Sequence, residues 1–198
     1  GSNCPDAKTI LERHNWYRAR HQTPALQWDA EMAAEATAYA HVLARRDCIL
    51  AHSMGMDGEN LVTKRGYPSI DSTCILAPTA WYREVMYYNF DAKRLFKDNW
   101  YQSQMVGHFT QLVWRSTTLI GCGVAVNYSH PIEFNMRTYI GACKMVVCRY
   151  RWAGNIPSDN VFAVNGKWPV MFTSLLQAFS LICSTACLPD WKSHYWSR

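Results

Sequence analysis

From Gly107 to Thr117 the chain reads Gly-His-Phe-Thr-Gln-Leu-Val-Trp-Arg-Ser-Thr, an apolar stretch that encloses a histidine and a glutamine. His108, Gln111 and Leu112 fall at i, i+3 and i+4, one face of a helical turn. The period then changes. Ile120, Cys122, Val124 and Val126 alternate as a strand does, and residues 139–150 read as its antiparallel partner. Helical spacing dominates upstream. Residues 5–21 predict a first helix, opened by Pro5-Asp6 and stopped before Pro24. Asp29 predicts the cap of a second helix with the face Met32, Ala36, Tyr39 or Ala40, and Leu43. Trp81, Glu84, Val85 and Tyr88, at i, i+3, i+4 and i+7, predict a third helix over 79–90, with Thr79 as its cap. Helices first and antiparallel strands later predict an α+β domain.

Two polar residues interrupt these apolar faces. A buried imidazole costs free energy unless it is hydrogen-bonded or metal-bound, so His108 needs partners. A carboxylate on an aromatic face must be paired, protonated or functional, so Glu84 needs one too. Catalysis needs more than these groups. No serine has a nucleophile-elbow context, and only Ser53, beside His52, is worth testing, so the chain is not expected to be an enzyme.

Cysteine usage sets the compartment. Eight cysteines, Cys4, Cys48, Cys74, Cys122, Cys143, Cys148, Cys183 and Cys187, form an even set without paired zinc-finger CxxC spacing. Disulfides and a secreted, extracellular location follow. Asn127-Tyr128-Ser129 is a glycosylation acceptor consistent with that route. The opening Gly1-Ser2-Asn3-Cys4 has no charged and apolar leader, as expected of a mature form. The 198 residues, 49% of them hydrophobic, suit one sizeable core. The net charge of +5 is scattered, which argues against nucleic acid and leaves a general attraction to anionic membrane surfaces.

The tail differs in kind. Val170 to Leu188 carries no charge, long enough to raise a membrane span or a cleavable lipid-anchor signal. Thr173, Ser174, Gln177, Ser180, Ser184 and Thr185 interrupt it, and Cys183 and Cys187 suit a disulfide, so a packed helix is the expectation. The domain plan is therefore residues 1–156 as one domain and 157–198 as an extension packed on or near it.

Short motifs then agree in order. His14-Asn15-Trp16-Tyr17-Arg18, Leu26-Gln27-Trp28-Asp29, His52-Ser53, Gly58-Glu59-Asn60-Leu61, Glu84, the 107–117 stretch, Val146-Val147-Cys148-Arg149-Tyr150 and Gly154-Asn155-Ile156 cover most of residues 5–156. Together they resemble the CAP superfamily of cysteine-rich secretory, antigen 5 and pathogenesis-related proteins, and most closely a venom-allergen-like protein. Trp152 departs from the pattern, standing where the family usually carries a small residue or proline. The resemblance implies an α-β-α sandwich with an antiparallel central sheet. It also implies that His52, Glu59, Glu84 and His108 converge in a central cleft. As a metal site, neutral imidazoles would suit a weak, reversible Zn2+, not required for the fold, with the carboxylates as ligands or as holders of its water. As structure, the same four would be a hydrogen-bonded network anchoring helices to sheet. The resemblance further pairs Cys122 with Cys148, leaving fifteen pairings for the other six. Cys48 would bond a cysteine near 127, but Asn127 stands there and Cys143 is the substitute.

The resemblance also implies lipid carriage. Family members bind sterols beneath an aromatic loop or fatty acids between helices. Tyr88, Phe90, Leu95, Phe96 and Trp100 are the corresponding candidates, in a segment from Tyr87 to Tyr101 that would act as a gate, although Leu95 stands where a third ring is expected. Ordinary packing of those rings is the alternative. The functional expectation is a secreted carrier of sterol or fatty acid. A module that binds a host or cell-surface protein and modulates immunity is the competing class, and a metal-assisted hydrolase a third.

Overall fold

The computed structural model describes residues 2–100 and 105–165. Four strands form one sheet in the order β1-β3-β4-β2. Its centre is the antiparallel pair β3 (Leu119–Phe134) and β4 (Arg137–Arg151). On one side β2 (Gly58–Gly66) pairs antiparallel with β4. At the other edge the two-residue β1 (Gln27–Trp28) runs parallel to β3, the one parallel contact in the sheet. Helix α2 (Ala30–Ala44) covers one face, packing Ala36, Ala40 and Leu43 on Leu61, Ala125, Met145 and Val147. The opposite face carries α1 (Ala7–Arg20), α3 (Leu76–Tyr82) and α5 (Gly107–Leu112), whose Ile10, Trp81 and Phe109 meet Val62, Ile120, Val124 and Val146. The fold is the α-β-α sandwich.

From Ile120 to Ala125 both faces of β3 are buried, so its alternation there hides a second core face. Ile120, Cys122 and Val124 face α1 and α3, while Gly121, Gly123 and Ala125 face α2. A Cβ on Gly123 would lie 2.3 Å from the Thr37 backbone nitrogen, so only glycine lets α2 approach this closely. Asp29 caps α2 as its position foretells, accepting from Met32 N at 2.8 Å.

The third helix departs from expectation. Instead of one helix over 79–90, α3 spans Leu76–Tyr82 and tightens into a 3₁₀ turn from Arg83 to Tyr87. Thr79 is no cap; its hydroxyl accepts from Tyr17 in mid-helix. The start moves upstream because Asp6 caps it from across the molecule, taking Cys74 N at 2.9 Å and Ile75 N at 2.8 Å. That carboxylate makes no cap for its own helix α1. A disulfide between Cys4 and Cys74 closes the same junction, and two others join Cys48 to Cys143 and Cys122 to Cys148. Constraining loops of 70, 95 and 26 residues removes several kcal/mol of unfolded-chain entropy each, on the order of 3–5.

Beyond the sheet, α4 (Leu95–Trp100) packs against α6 (Asp159–Asn165). Phe162 of α6 is fully buried between Phe96 and Trp114, so this first stretch of the expected extension shares a core with the domain. The uncharged 170–188 segment, with Cys183 and Cys187, lies outside the described residues.

Candidate functional site

The site starts from α5, every residue of which is buried. Its polar groups are satisfied by neighbouring elements. Thr110 donates to Asn155 Oδ1 (2.6 Å), Asn155 Nδ2 donates to the Gly107 carbonyl (2.8 Å), and Gln111 Oε1 accepts from Gly154 N (2.8 Å). Gln111, on the His108 face, is thus a brace for the 154–155 loop. Trp152, the departure from the family pattern, keeps its ring exposed while its carbonyl accepts from Thr117 (2.7 Å).

His108 points from α5 toward the 3₁₀ turn, where its Nδ1 donates to Glu84 Oε1 at 2.6 Å. The other oxygen of Glu84 accepts from Phe109 N at 3.0 Å. The ring stacks on Trp81 with centroids 6.1 Å apart. A second pair forms at β2, where His52 Nδ1 donates to Glu59 Oε1 (2.8 Å). Ser53 adds its backbone N–H to the same oxygen (3.0 Å) and its hydroxyl to Oε2 (2.7 Å). Burial alone would raise the Glu59 pKa, but the hydrogen bonds from His52 and Ser53 outweigh it and hold the carboxylate below its ordinary value. Arg149, opposite Glu59 in the β2–β4 register, lies 3.9 Å away and also bonds Glu35 of α2.

Asn60 ties the His108 turn to the sheet. Its amide donates to the His108 carbonyl (3.1 Å) and to the Tyr150 hydroxyl (3.3 Å), and that hydroxyl meets His14 Nε2 at 2.9 Å. The four expected residues therefore stand as two His–Glu pairs flanking the start of β2. Among the described residues, no three His, Cys, Asp or Glu side chains gather as a metal-holding group. Each imidazole commits Nδ1 to a carboxylate, so a metal would have to be met at Nε2. His52 Nε2 is buried with no hydrogen-bond partner among the described residues, which fits that role.

The candidate lipid residues divide between two packed layers. Tyr88 and Phe90 touch edge-on (4.8 Å) and both lean on Phe109. Leu95 and Phe96 pack with Trp114 and Phe162, and Trp100 borders both groups. Between Phe90, Leu95 and α6 an open cleft of about 380 Å³ is bordered by Asp91, Lys93 and Asp159 as well as Ala92 and Ala163. Tyr101 lies outside the described residues. Asn127 is half-buried and its side-chain oxygen accepts from Ser129 N (2.9 Å).

Several anchors of this region escape a reading of the sequence. Arg18 is fully buried and donates to four carbonyls, Pro24 (2.7 Å), Leu112 (2.9 Å), Trp114 (3.0 Å) and Thr117 (2.9 Å), fixing the exit of α5. Asp159 caps α4 through Phe96 N (2.9 Å). Neither has a local signal, because every partner is distant in sequence or a backbone group.

The family model described as the cysteine-rich secretory protein family, CAP, matches residues 11–150. This chain belongs to the CAP family. It is 37% identical over 152 residues to pathogenesis-related protein 1A of Nicotiana tabacum, covering 77% of this chain and 78% of that protein. It is 34% identical over 160 residues to peptidase inhibitor 16 of Mus musculus, covering 76% of this chain but only 28% of that longer protein. Among solved structures, Na-ASP-1 shares the fold at a TM-score of 0.57 and 20% identity, over 80% of this chain and 43% of that one. NaASP2, crystallised with Zn2+, does so at 0.51 and 22%, over 80% of this chain and 87% of that one. The CAP domain's matched span ends with β4, so α6 lies beyond it while sharing its core.

Proposed function

We propose that this CAP chain acts outside the cell as a disulfide-braced, non-catalytic binding module that takes up a sterol or fatty acid beside the Tyr88–Trp100 segment. The observation that carries the reading is the placement of five apolar candidates in two thin layers, built on a 3₁₀ turn and a six-residue helix, beside an open cleft. Short elements of this kind separate at less cost than a continuous helix, and apolar area removed from water contributes about 25 cal/mol per Å². At the rim Lys93 would meet a carboxylate head, or Asp91 a sterol hydroxyl, while the apolar body enters between the layers. The family description and the three disulfides support an extracellular setting. Ser53 gives no support to hydrolysis, since its hydroxyl is committed to a carboxylate and not to an imidazole.

The test is saturable binding of radiolabelled cholesterol and of palmitate. Phe90→Ala and Phe96→Ala should each weaken binding severalfold with some loss of stability, the loss being smaller at the half-buried Phe90 ring than at the buried Phe96. Absence of saturable binding of either lipid by the wild type would reject the carrier in favour of a protein-interaction module, whose partner should be retained by both variants.

A second reading rests on His52 Nε2. With Nδ1 of each histidine oriented by a glutamate, His52 and His108 have the carboxylate–histidine arrangement that supports Zn2+, which would supply a weak cross-link at the start of β2. Calorimetry at neutral pH separates it from a purely structural network. Zinc heat that is unchanged in His52→Ala with His108→Ala would leave the network alone.

A further inference from the structure

β2 ends at Gly66, opposite Ala142, but β3 and β4 run on together from Gly141 to their turn. The extra length is a two-stranded ribbon projecting past the sheet, four residues on the β3 side from the buried His130 to Phe134, or roughly 13 Å at 3.3 Å per residue. Its outer part is apolar and exposed. Phe134 and Ile140 are each 64% accessible, and Met136 is fully so. The turn residues Asn135 and Met136 have φ of 50° and 58°. A two-residue hairpin turn with positive φ at both places favours asparagine and then glycine. Asparagine is there; methionine stands in the glycine's place, against its backbone preference and with its side chain wholly in water.

The register says what kind of partner would cover such a tip. Phe134 shares a face with Ile132 and Tyr139, whereas Ile140 shares the other face with Pro131. Apolar groups on both faces and on the turn between them cannot all be covered by a flat protein surface, but a fluid that closes around the tip covers them together. Behind the tip come tyrosines. Tyr139 and Tyr67 touch edge-on at 5.3 Å, and Tyr128 is exposed farther back. Rings with one polar end are suited to the headgroup level of a bilayer. Exposed charge nearby is Arg137, directly across from Phe134, and Arg65 near the end of β2, against Glu133, whose carboxylate accepts from Thr138 (2.7 Å), and Asp47, 3.6 Å from His130 at the base of the ribbon. Asp47 sits at the base of the ribbon while Arg137 stands beside Phe134 at the tip, so in a chain of net charge +5 this leading end complements anionic headgroups.

We propose that the 131–140 hairpin is a membrane-docking tip, in which Phe134, Met136 and Ile140 enter the outer layer of an anionic bilayer while Tyr67, Tyr128 and Tyr139 stay at its headgroups. Insertion is shallow. The ribbon has two open edges whose backbone groups keep their water, so only the turn and the residues beside it leave the aqueous phase. Asn127 lies seven residues before Phe134, roughly 20 Å behind the tip, so a glycan there would clear the surface. This docking is independent of the ligand site, which lies beside different elements.

The test is co-sedimentation of the full chain with vesicles of phosphatidylcholine containing phosphatidylserine, and with phosphatidylcholine alone. Phe134→Ser combined with Met136→Asn removes the apolar tip and gives the turn a residue that accepts positive φ. Binding to the anionic vesicles should fall by about tenfold or more, with a thermal midpoint no lower than wild type. Arg137→Gln should reduce the preference for phosphatidylserine. Phe134→Trp provides the local signal, since its added fluorescence over wild type should be quenched by brominated acyl chains. Equal vesicle binding by the double variant, or an introduced tryptophan that bromine does not quench, would overturn the proposal and point to a protein partner or to simple surface charge.

Discussion

Two buried histidines outside the His–Glu pairs make the chain's stability depend on mildly acidic pH. His14 donates from Nδ1 to the Ile10 carbonyl and accepts at Nε2 from Tyr150, both at 2.9 Å, so its neutral tautomer is satisfied. Burial pushes its pKa down to about 4, with the Ile10 carbonyl opposing and Arg18 adding to the shift. His21, beneath Tyr82, is pushed down to about 3 by burial and by Arg20. In the unfolded chain both titrate near 6.5, so below that pH the unfolded state binds more protons and gains on the folded one. The contribution is whole above pH 6.5 and falls as pH drops toward the folded values. Between pH 7 and pH 5 each ring should remove about 2 kcal/mol, about 4 in all. Urea unfolding with the disulfides intact measures it directly. His14→Gln keeps a hydrogen-bonding side chain but cannot take a proton, so whatever its stability at pH 7, its loss between pH 7 and pH 5 should be about half the wild-type loss. A wild type that loses less than about 1 kcal/mol over that range, or a variant with an undiminished loss, would refute the reasoning.

Three other outcomes follow from the packing. Arg18→Met should strand four carbonyls and lower stability by at least about 3 kcal/mol, with faster amide exchange from Leu112 to Thr117 as the local readout. Gly123→Ala should force α2 off the sheet at Thr37, costing about 3 kcal/mol in urea unfolding, and an unchanged midpoint would contradict the close approach. Glu84→Gln cannot accept from both His108 and Phe109 as the carboxylate does, so it should cost about 2 kcal/mol and change the His108 ring resonances in NMR spectra.

Local chemistry was enough for the elements whose causes are local. Asp29 caps the helix that follows it, the α2 face recurs at helical spacing, and the paired apolar runs at 119–151 meet as a hairpin, because those signals act between residues close in the chain. The motifs also gave the family, and with it the expectation that His52, Glu59, Glu84 and His108 converge in one cleft. What the sequence could not give is which of them touch. Nothing in the spacing assigns Glu84 to His108 and Glu59 to His52, because that choice depends on α5 lying beside the 3₁₀ turn and on His52 folding back over β2. Asp6 shows the same limit. Read locally it opens α1, yet its carboxylate caps a helix that begins 70 residues later, since the Cys4–Cys74 bond brings those backbone N–H groups within its reach. The sequence determined which groups need partners, and tertiary structure decided which partners they meet, because burial makes an unpaired polar group costly wherever it lies but distance in space alone determines what can satisfy it.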